Sequence, residues 1–142
     1  MPISHSPLQI NHGFESVLGQ IIQGFMQYMK EQGLTMPQVH ALMYIFHAGE
    51  CQVSEIGTLA DASVAAASQM AERLVQQGLV ERKEDPSNRR IKKLSLSEKG
   101  RKLITDSFSA NPFLKDKLAS LSPEERNAVH TAFSILAGSG GH

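Results

Sequence analysis

Residues 79–96 read LVERKEDPSNRRIKKLSL, and few folds can hold such a segment. LVERKE and RRIKKLSL each alternate as strands do, the second with Ile91, Leu94 and Leu96 as its apolar positions. Between them DPSN supplies turn chemistry, an Asp followed by a Pro whose fixed φ starts a chain reversal. A two-stranded hairpin is predicted. The stretch 81–100 also carries seven of the chain's fourteen Lys and Arg: Arg82, Lys83, Arg89, Arg90, Lys92, Lys93 and Lys99. The net charge is nevertheless zero, because residues 1–78 hold two basic and six acidic groups. Charge alone does not choose between a solvated hairpin and one that grips a polyanion, so the surrounding elements decide.

A chain of 142 residues, 41% hydrophobic and 20% charged, suits one soluble folded domain, taken here as residues 1–142. No Lys or Arg precedes Lys30 and no apolar run reaches the length of a signal peptide or a membrane span, so a cytoplasmic protein without membrane contact is expected. The single Cys51 permits no internal disulfide and no Cys-rich zinc site, and reads as a small packing residue. His5, His12, His40, His47, His130 and His142 are scattered, and the sequence contains no HExxH, CxxC, GxSxG or phosphate-cradling glycine loop. Neither catalysis nor a metal or other cofactor is expected.

Apolar residues from Ile10 to Met29 cover about half the circumference of a helix over 8–32, too wide for one core alone. This helix is expected to bury two sides. Thr35 with Gln38 forms a capping box for a second helix over 36–47, with Pro37 in its first turn and Gly49 beyond its end. A short third helix from Ser54 carries Ile56, Leu59 and Ala60, and ADAS leads to a new N-cap at Ser63. The fourth helix runs from Val64 to Gln77 and stops at Gly78. Two helices joined by so short a turn outline a helix-turn-helix, and the basic hairpin directly after them makes it a winged helix.

On these residues the chain resembles the MarR family of winged-helix transcriptional regulators. The resemblance is carried by LTMPQVHALMYIF and by VSEIGTLADASVAAASQMAERLVQQGLVERKEDPSNRRIKKLSLSEKGRKLI, and more loosely by LSPEERNAVHTAFSIL. It implies a mainly α fold with a small β-hairpin wing: a winged helix-turn-helix lobe at 34–100, and dimerisation helices at 8–32 and 101–137. It also implies a homodimer of six-helix, three-stranded subunits and a double-stranded DNA partner with a near-palindromic operator. The function implied is that of a repressor released by a small amphipathic or phenolic effector. The rival reading is a winged helix used for protein contacts alone, which needs no basic wing.

In the fourth helix, steps of 100° put Ala67, Met70, Ala71 and Leu74 on the core side and Ala65, Ser68, Gln69 and Glu72 on the other. The expected reading surface is Ser63, Val64, Ala65, Ser68 and Gln69, with Gln69 suited to adenine and Val64 or Ala65 to a thymine methyl. Glu72 would repel phosphate, which confines groove entry to the first two turns, and Arg73 is expected as a structural salt-bridge partner. On the wing, Arg89 and Arg90 suit a minor groove, while Arg82, Lys83, Lys92 and Lys93 would lie nearer phosphates. Two positions depart from the family pattern. Asn88 stands where Asp usually orders the tip Arg, leaving Arg90 to weaker hydrogen bonds or to Asp85, and Asp61 stands where the turn commonly has Gly.

The resemblance further implies an effector crevice, for which His12, Phe14, His40, Met43, Phe46 and Phe108 are the candidates. Peroxide sensing is not expected, since the reactive Cys of such relatives lies in the first helix and this chain has none there. Ser97 should cap a helix that Asn111-Pro112 interrupts, and Ser122, Pro123 and Glu125 start the last one.

Overall fold

Local capping chemistry sets most element boundaries in the computed structural model, which describes residues 4–138. Helix α1 spans Pro7–Glu31 and ends where Gly33 takes a φ of +78°. Thr35 caps α2 (Met36–Ala48): its hydroxyl accepts from the Gln38 N–H, and the Gln38 side chain accepts from the Thr35 N–H at 2.9 Å. After Gly49 comes the short strand β1 (Glu50–Gln52), then α3 (Val53–Leu59). Asp61 makes the turn with a φ of +49°, a left-handed conformation that Asp tolerates, and the Ser63 hydroxyl accepts from the Ala66 N–H at 3.1 Å to start α4 (Val64–Gln76). Strands β2 (Val80–Asp85) and β3 (Asn88–Leu96) follow, then α5 (Glu98–Ser109), α6 (Pro112–Ser120) and α7 (Pro123–Leu136).

The sheet is antiparallel with order β1-β3-β2, so the hairpin's return strand is central. Cys51 of β1 pairs with Leu94 of β3, and on the other side Val80 of β2 pairs with Leu96. The described residues hold seven helices where the family resemblance implies six, because Asn111-Pro112 divides what would be one long helix.

The chain forms two compact units. The winged-helix unit runs from Met26 to Phe108, a wider span than the predicted 34–100, since it takes in the end of α1 and nearly all of α5. Its core is Leu42, Ile45, Ile56, Leu74, Leu94 and Ile104, all at most 2% exposed. Burial of this kind stabilises by about 1.5–3 kcal/mol per side chain.

The joint between α4, the wing and α5 is made by Ser97, Lys99 and Gly100. The Ser97 hydroxyl donates to the Gly78 carbonyl and accepts from the Gly100 N–H. The Lys99 ammonium donates to the Gln77 carbonyl at 2.9 Å, a cation at the carbonyl end of α4. A Cβ on Gly100 would lie 2.1 Å from the Leu79 carbonyl oxygen, so only glycine allows this approach. The predicted glycine stop of α4 is thus tied directly to the start of α5.

The other unit contains the described residues up to Phe25 and from Ser109 onward. Asn111, fully buried, caps α6 by accepting from the Phe113 and Leu114 N–H groups at 3.1 and 3.3 Å, and donates to the Ile21 carbonyl of α1 at 2.9 Å. Gly24 permits this contact, since a Cβ there would come within 2.7 Å of the Asn111 amide nitrogen. The interruption expected at Asn111-Pro112 is therefore a specific inter-helix clamp.

Candidate nucleic-acid interface

Helix α4 divides by face as its periodicity requires. Ala67, Ala71 and Leu74 are buried and Met70 is half-buried, while Ser63, Val64, Ala65, Ser68, Gln69 and Glu72 are exposed. Val64 is 79% exposed. The exposed N-terminal turns of α4 therefore present small side chains and one amide, with free backbone N–H groups at the helix start.

Opposite this face stands the wing. Pairing in the hairpin is regular from Val80 with Leu96 to Glu84 with Lys92, then jumps to Asp85 with Asn88. Arg89, Arg90 and Ile91 are left without partners on β2, where a bulge interrupts the ladder. Asp85 shapes the turn by accepting from the Ser87 N–H at 2.8 Å and from the Ser87 hydroxyl, which holds its carboxyl below the usual carboxylate range. The Asn88 side chain accepts from the Arg90 N–H at 3.0 Å, so a neutral amide and the Asp85 turn both order the tip backbone.

Between α3, α4 and the wing lies a groove of about 760 Å³. One wall is Val64, Ser68 and Glu72, one face of α4 at four-residue spacing; the facing wall is Arg82, Arg90, Ile91 and Lys92. Gln52, Ser54, Thr58 and Asp61 complete it from the α3 side. Two wing cations are engaged within the protein. Arg82 pairs with Glu72 at 2.9 Å, and Lys93 bridges Glu50 of β1 at 3.3 Å and Asp85 at 3.6 Å, contacts that push the Lys93 pKa up. Lys83, Arg89, Arg90 and Lys92 form no ion pair among the described residues. The site is a concavity with Val64, Ser68 and Glu72 on one side and the unpaired cations Arg90 and Lys92 beside the Glu72-bound Arg82 on the other.

Residues 34–92 match the MarR family. The uncharacterized HTH-type transcriptional regulator YfiV of Bacillus subtilis is 32% identical over 105 residues, 73% of this chain and 66% of YfiV's own length. The chain belongs to the MarR family. Transcriptional regulator Tm0710 of Thermotoga maritima shares its fold over 92% of this chain and 93% of the other, with a TM-score of 0.77 at 19% identity. A MarR mutant from E. coli, complexed with operator DNA, does so over 90% and 93%, with a TM-score of 0.56 at 19% identity. The family and these relatives are regulators of transcription, not enzymes.

Within this MarR-family lobe the structure brings Val64 and Ser68 together with Arg82, Arg90 and Lys92 around one groove. Ser63, Ala65, Gln69, Lys83, Arg89 and Lys93 lie outside its lining. Arg73 is in no ion pair among the described residues and is exposed, contrary to the structural role expected of it; Glu72 meets Arg82 instead. Sequence reasoning missed Gln52, Ser54 and Thr58 as groove residues, because only the packing of α3 beside α4 and the wing brings them there. The six effector candidates divide between the units. His12 and Phe14 belong to the terminal one and are exposed; in the other, His40 is exposed, Met43 half-buried, and the half-buried Phe46 lies 6.0 Å from the Arg101 guanidinium. Phe108 is also in the winged-helix unit. Cys51 is buried and its pKa is raised to about 11, chiefly by desolvation and then by Glu55, so its reactive thiolate is suppressed. No helix of the described residues is long and apolar enough to cross a membrane.

Proposed function

We propose that the chain is a dimeric, sequence-specific DNA-binding repressor that leaves its operator when a small amphipathic or phenolic molecule binds. The observation that carries the DNA reading is the groove itself: unpaired Arg90 and Lys92 face the exposed, capped start of α4 across a space bounded by small side chains. In that reading Ser63, Val64, Ala65, Ser68 and Gln69 enter the major groove, while Arg89 and Arg90 reach the minor groove and Lys83 and Lys92 the phosphates. Occupying the operator would by itself block transcription.

Dimerisation is supported by the terminal unit. Ile10, Phe14, Leu18 and Ile22 follow one another at four-residue spacing on α1 and each is at least 39% exposed, and Leu118, Phe133, Ile135 and Leu136 are exposed on α6 and α7. Exposed apolar area on that scale marks a surface made to be covered. A two-fold dimer predicts a near-palindromic site with half-sites about one helical turn apart. The half-buried Met43 and Phe46 support effector binding, as polarizable and aromatic surfaces suited to a flat organic anion.

Salt titrations of binding to a genome-selected fragment and to random-sequence DNA test the DNA reading. Arg90→Ala should weaken both and lower the salt slope by about one counterion per subunit. Gln69→Ala should cost about 1–3 kcal/mol at the selected site and leave random-sequence binding nearly unchanged. Equal curves for Arg90→Ala and the unaltered chain would remove the wing from the interface. No binding to either DNA would instead favour a protein-contact module.

A further inference from the structure

The groove contains one feature that a surface built only to attract phosphate would not have. Glu72, on the same α4 face as Ser68, places its carboxylate against the Arg82 guanidinium at 2.9 Å, and both side chains line the groove. They are 47% and 30% exposed, so the pair is wetted and cheap to open. Glu72 reaches from the reading helix and Arg82 from β2, so the contact also spans the recognition helix and the base of the wing. Arg90 and Lys92 on the same wall have no such acid.

We propose that Glu72 is a specificity-determining residue that holds Arg82 in reserve. In the free protein and on random DNA, Arg82 stays on Glu72, and only Arg90, Lys92, Arg89 and Lys83 meet phosphates. On the operator, where base contacts by the first turns of α4 seat the helix deeply, a strand phosphate entering the groove takes the guanidinium from Glu72. Arg82 thus adds its contact only to the correct complex, and Glu72 raises the ratio of specific to random affinity. The proposal rests on the DNA-binding reading above.

The test is a double-mutant cycle of the full-length chain with Glu72→Gln, Arg82→Gln and both, titrated with salt against random-sequence DNA and against a genome-selected fragment. Glu72→Gln keeps the size of an exposed side chain, and circular dichroism verifies folding of each variant. Glu72→Gln should tighten random-sequence binding by about three- to tenfold and steepen its salt slope by about one counterion per subunit, with a smaller gain on the selected fragment. In the Arg82→Gln background the same change should do little, because the released cation is absent. An equal gain in both backgrounds would mean that Glu72 merely repels phosphate and would overturn the proposal, as would no gain in either. Failure of the unaltered chain to bind any DNA would sink the underlying reading as well, which separates the two kinds of failure.

Discussion

The winged-helix unit and the terminal unit are built from chain of similar apolar content but reach opposite states of completion. Between Met26 and Phe108, six large aliphatic side chains from α2, α3, α4, β3 and α5 are essentially removed from water. In the described part of the terminal unit the one buried residue is Asn111, a polar side chain, while Phe14, Leu18, Ile22 and Phe133 remain exposed. A unit with a filled core carries its own stability; one held by a cap and a clamp with its apolar stripe outward does not. The difference teaches that the proposed reading surface stands on a filled core, and that the terminal helices are the part whose state depends on what covers them.

The sharpest way to break this comparison is to damage each half where it is strongest. Leu74→Ala, at a site with no exposure, should lower unfolding free energy by about 2–5 kcal/mol in a urea titration without changing the association state. Leu18→Glu should do the converse. It should weaken self-association by at least about a hundredfold in sedimentation equilibrium, by placing an unpaired charge in the proposed interface, while leaving the helical signal of the subunit. Unchanged association in Leu18→Glu would show that the exposed stripe of α1 is not what pairs two copies.

What was legible in the sequence divides along the same line. Thr35 with Gln38, Ser63, Asp61, Gly78 and the Asp85-Pro86 turn were readable because a cap or turn is decided by neighbours a few residues away. The ion pairs of the candidate site were not: Glu72 finds Arg82 through the packing of α4 on β2, and Glu50 finds Lys93 across a register between β1 and β3. Strand β1 itself is three residues long and exists only because β3 is beside it. At Asn111-Pro112 the interruption was visible, yet its purpose was not, since the Ile21 carbonyl and Gly24 lie far away in the chain.

Gly24→Ala sharpens the comparison at a smaller scale. The new methyl would stand 2.7 Å from the Asn111 amide nitrogen, and that side chain cannot swing away without losing its bonds to Ile21, Phe113 and Leu114. A cost of about 1–3 kcal/mol is expected, confined to α1 and α6. Amide exchange should accelerate at Phe113 and Leu114 and stay unchanged at Ala71 and Leu74. Uniform acceleration through both units would mean that they unfold as one.

The smallest effect compares one carboxylate in each unit. Asp85 is held below its ordinary pKa first by the Ser87 hydroxyl and then by the Ser87 N–H, and Glu125 first by the Ser122 N–H and then by the Ser122 hydroxyl. Both folded pKa values are depressed, so each group contributes stability above its unfolded pKa, about 4, and that contribution is lost as pH falls through the folded value. The Ser87 and Ser122 amide resonances should therefore titrate with midpoints below those of Asp and Glu in unstructured peptides. The two losses should nevertheless differ in reach. When Asp85 is protonated, the Ser87 groups lose their charged acceptor and Lys93 loses its ion pair with Asp85 at 3.6 Å, so the wing loosens at its turn. When Glu125 is protonated, the capping box of α7 keeps only a neutral acceptor for the Ser122 N–H now held at 2.9 Å, and the first turn of that helix relies more on the Ser122 hydroxyl as its cap. Acidification should thus broaden the Ser87 signal, and Asp85→Asn should abolish the Ser87 titration. A Ser87 midpoint at the ordinary Asp value would mean that the turn does not hold the carboxylate, and that the tip bearing Arg89 and Arg90 is ordered by Asn88 alone.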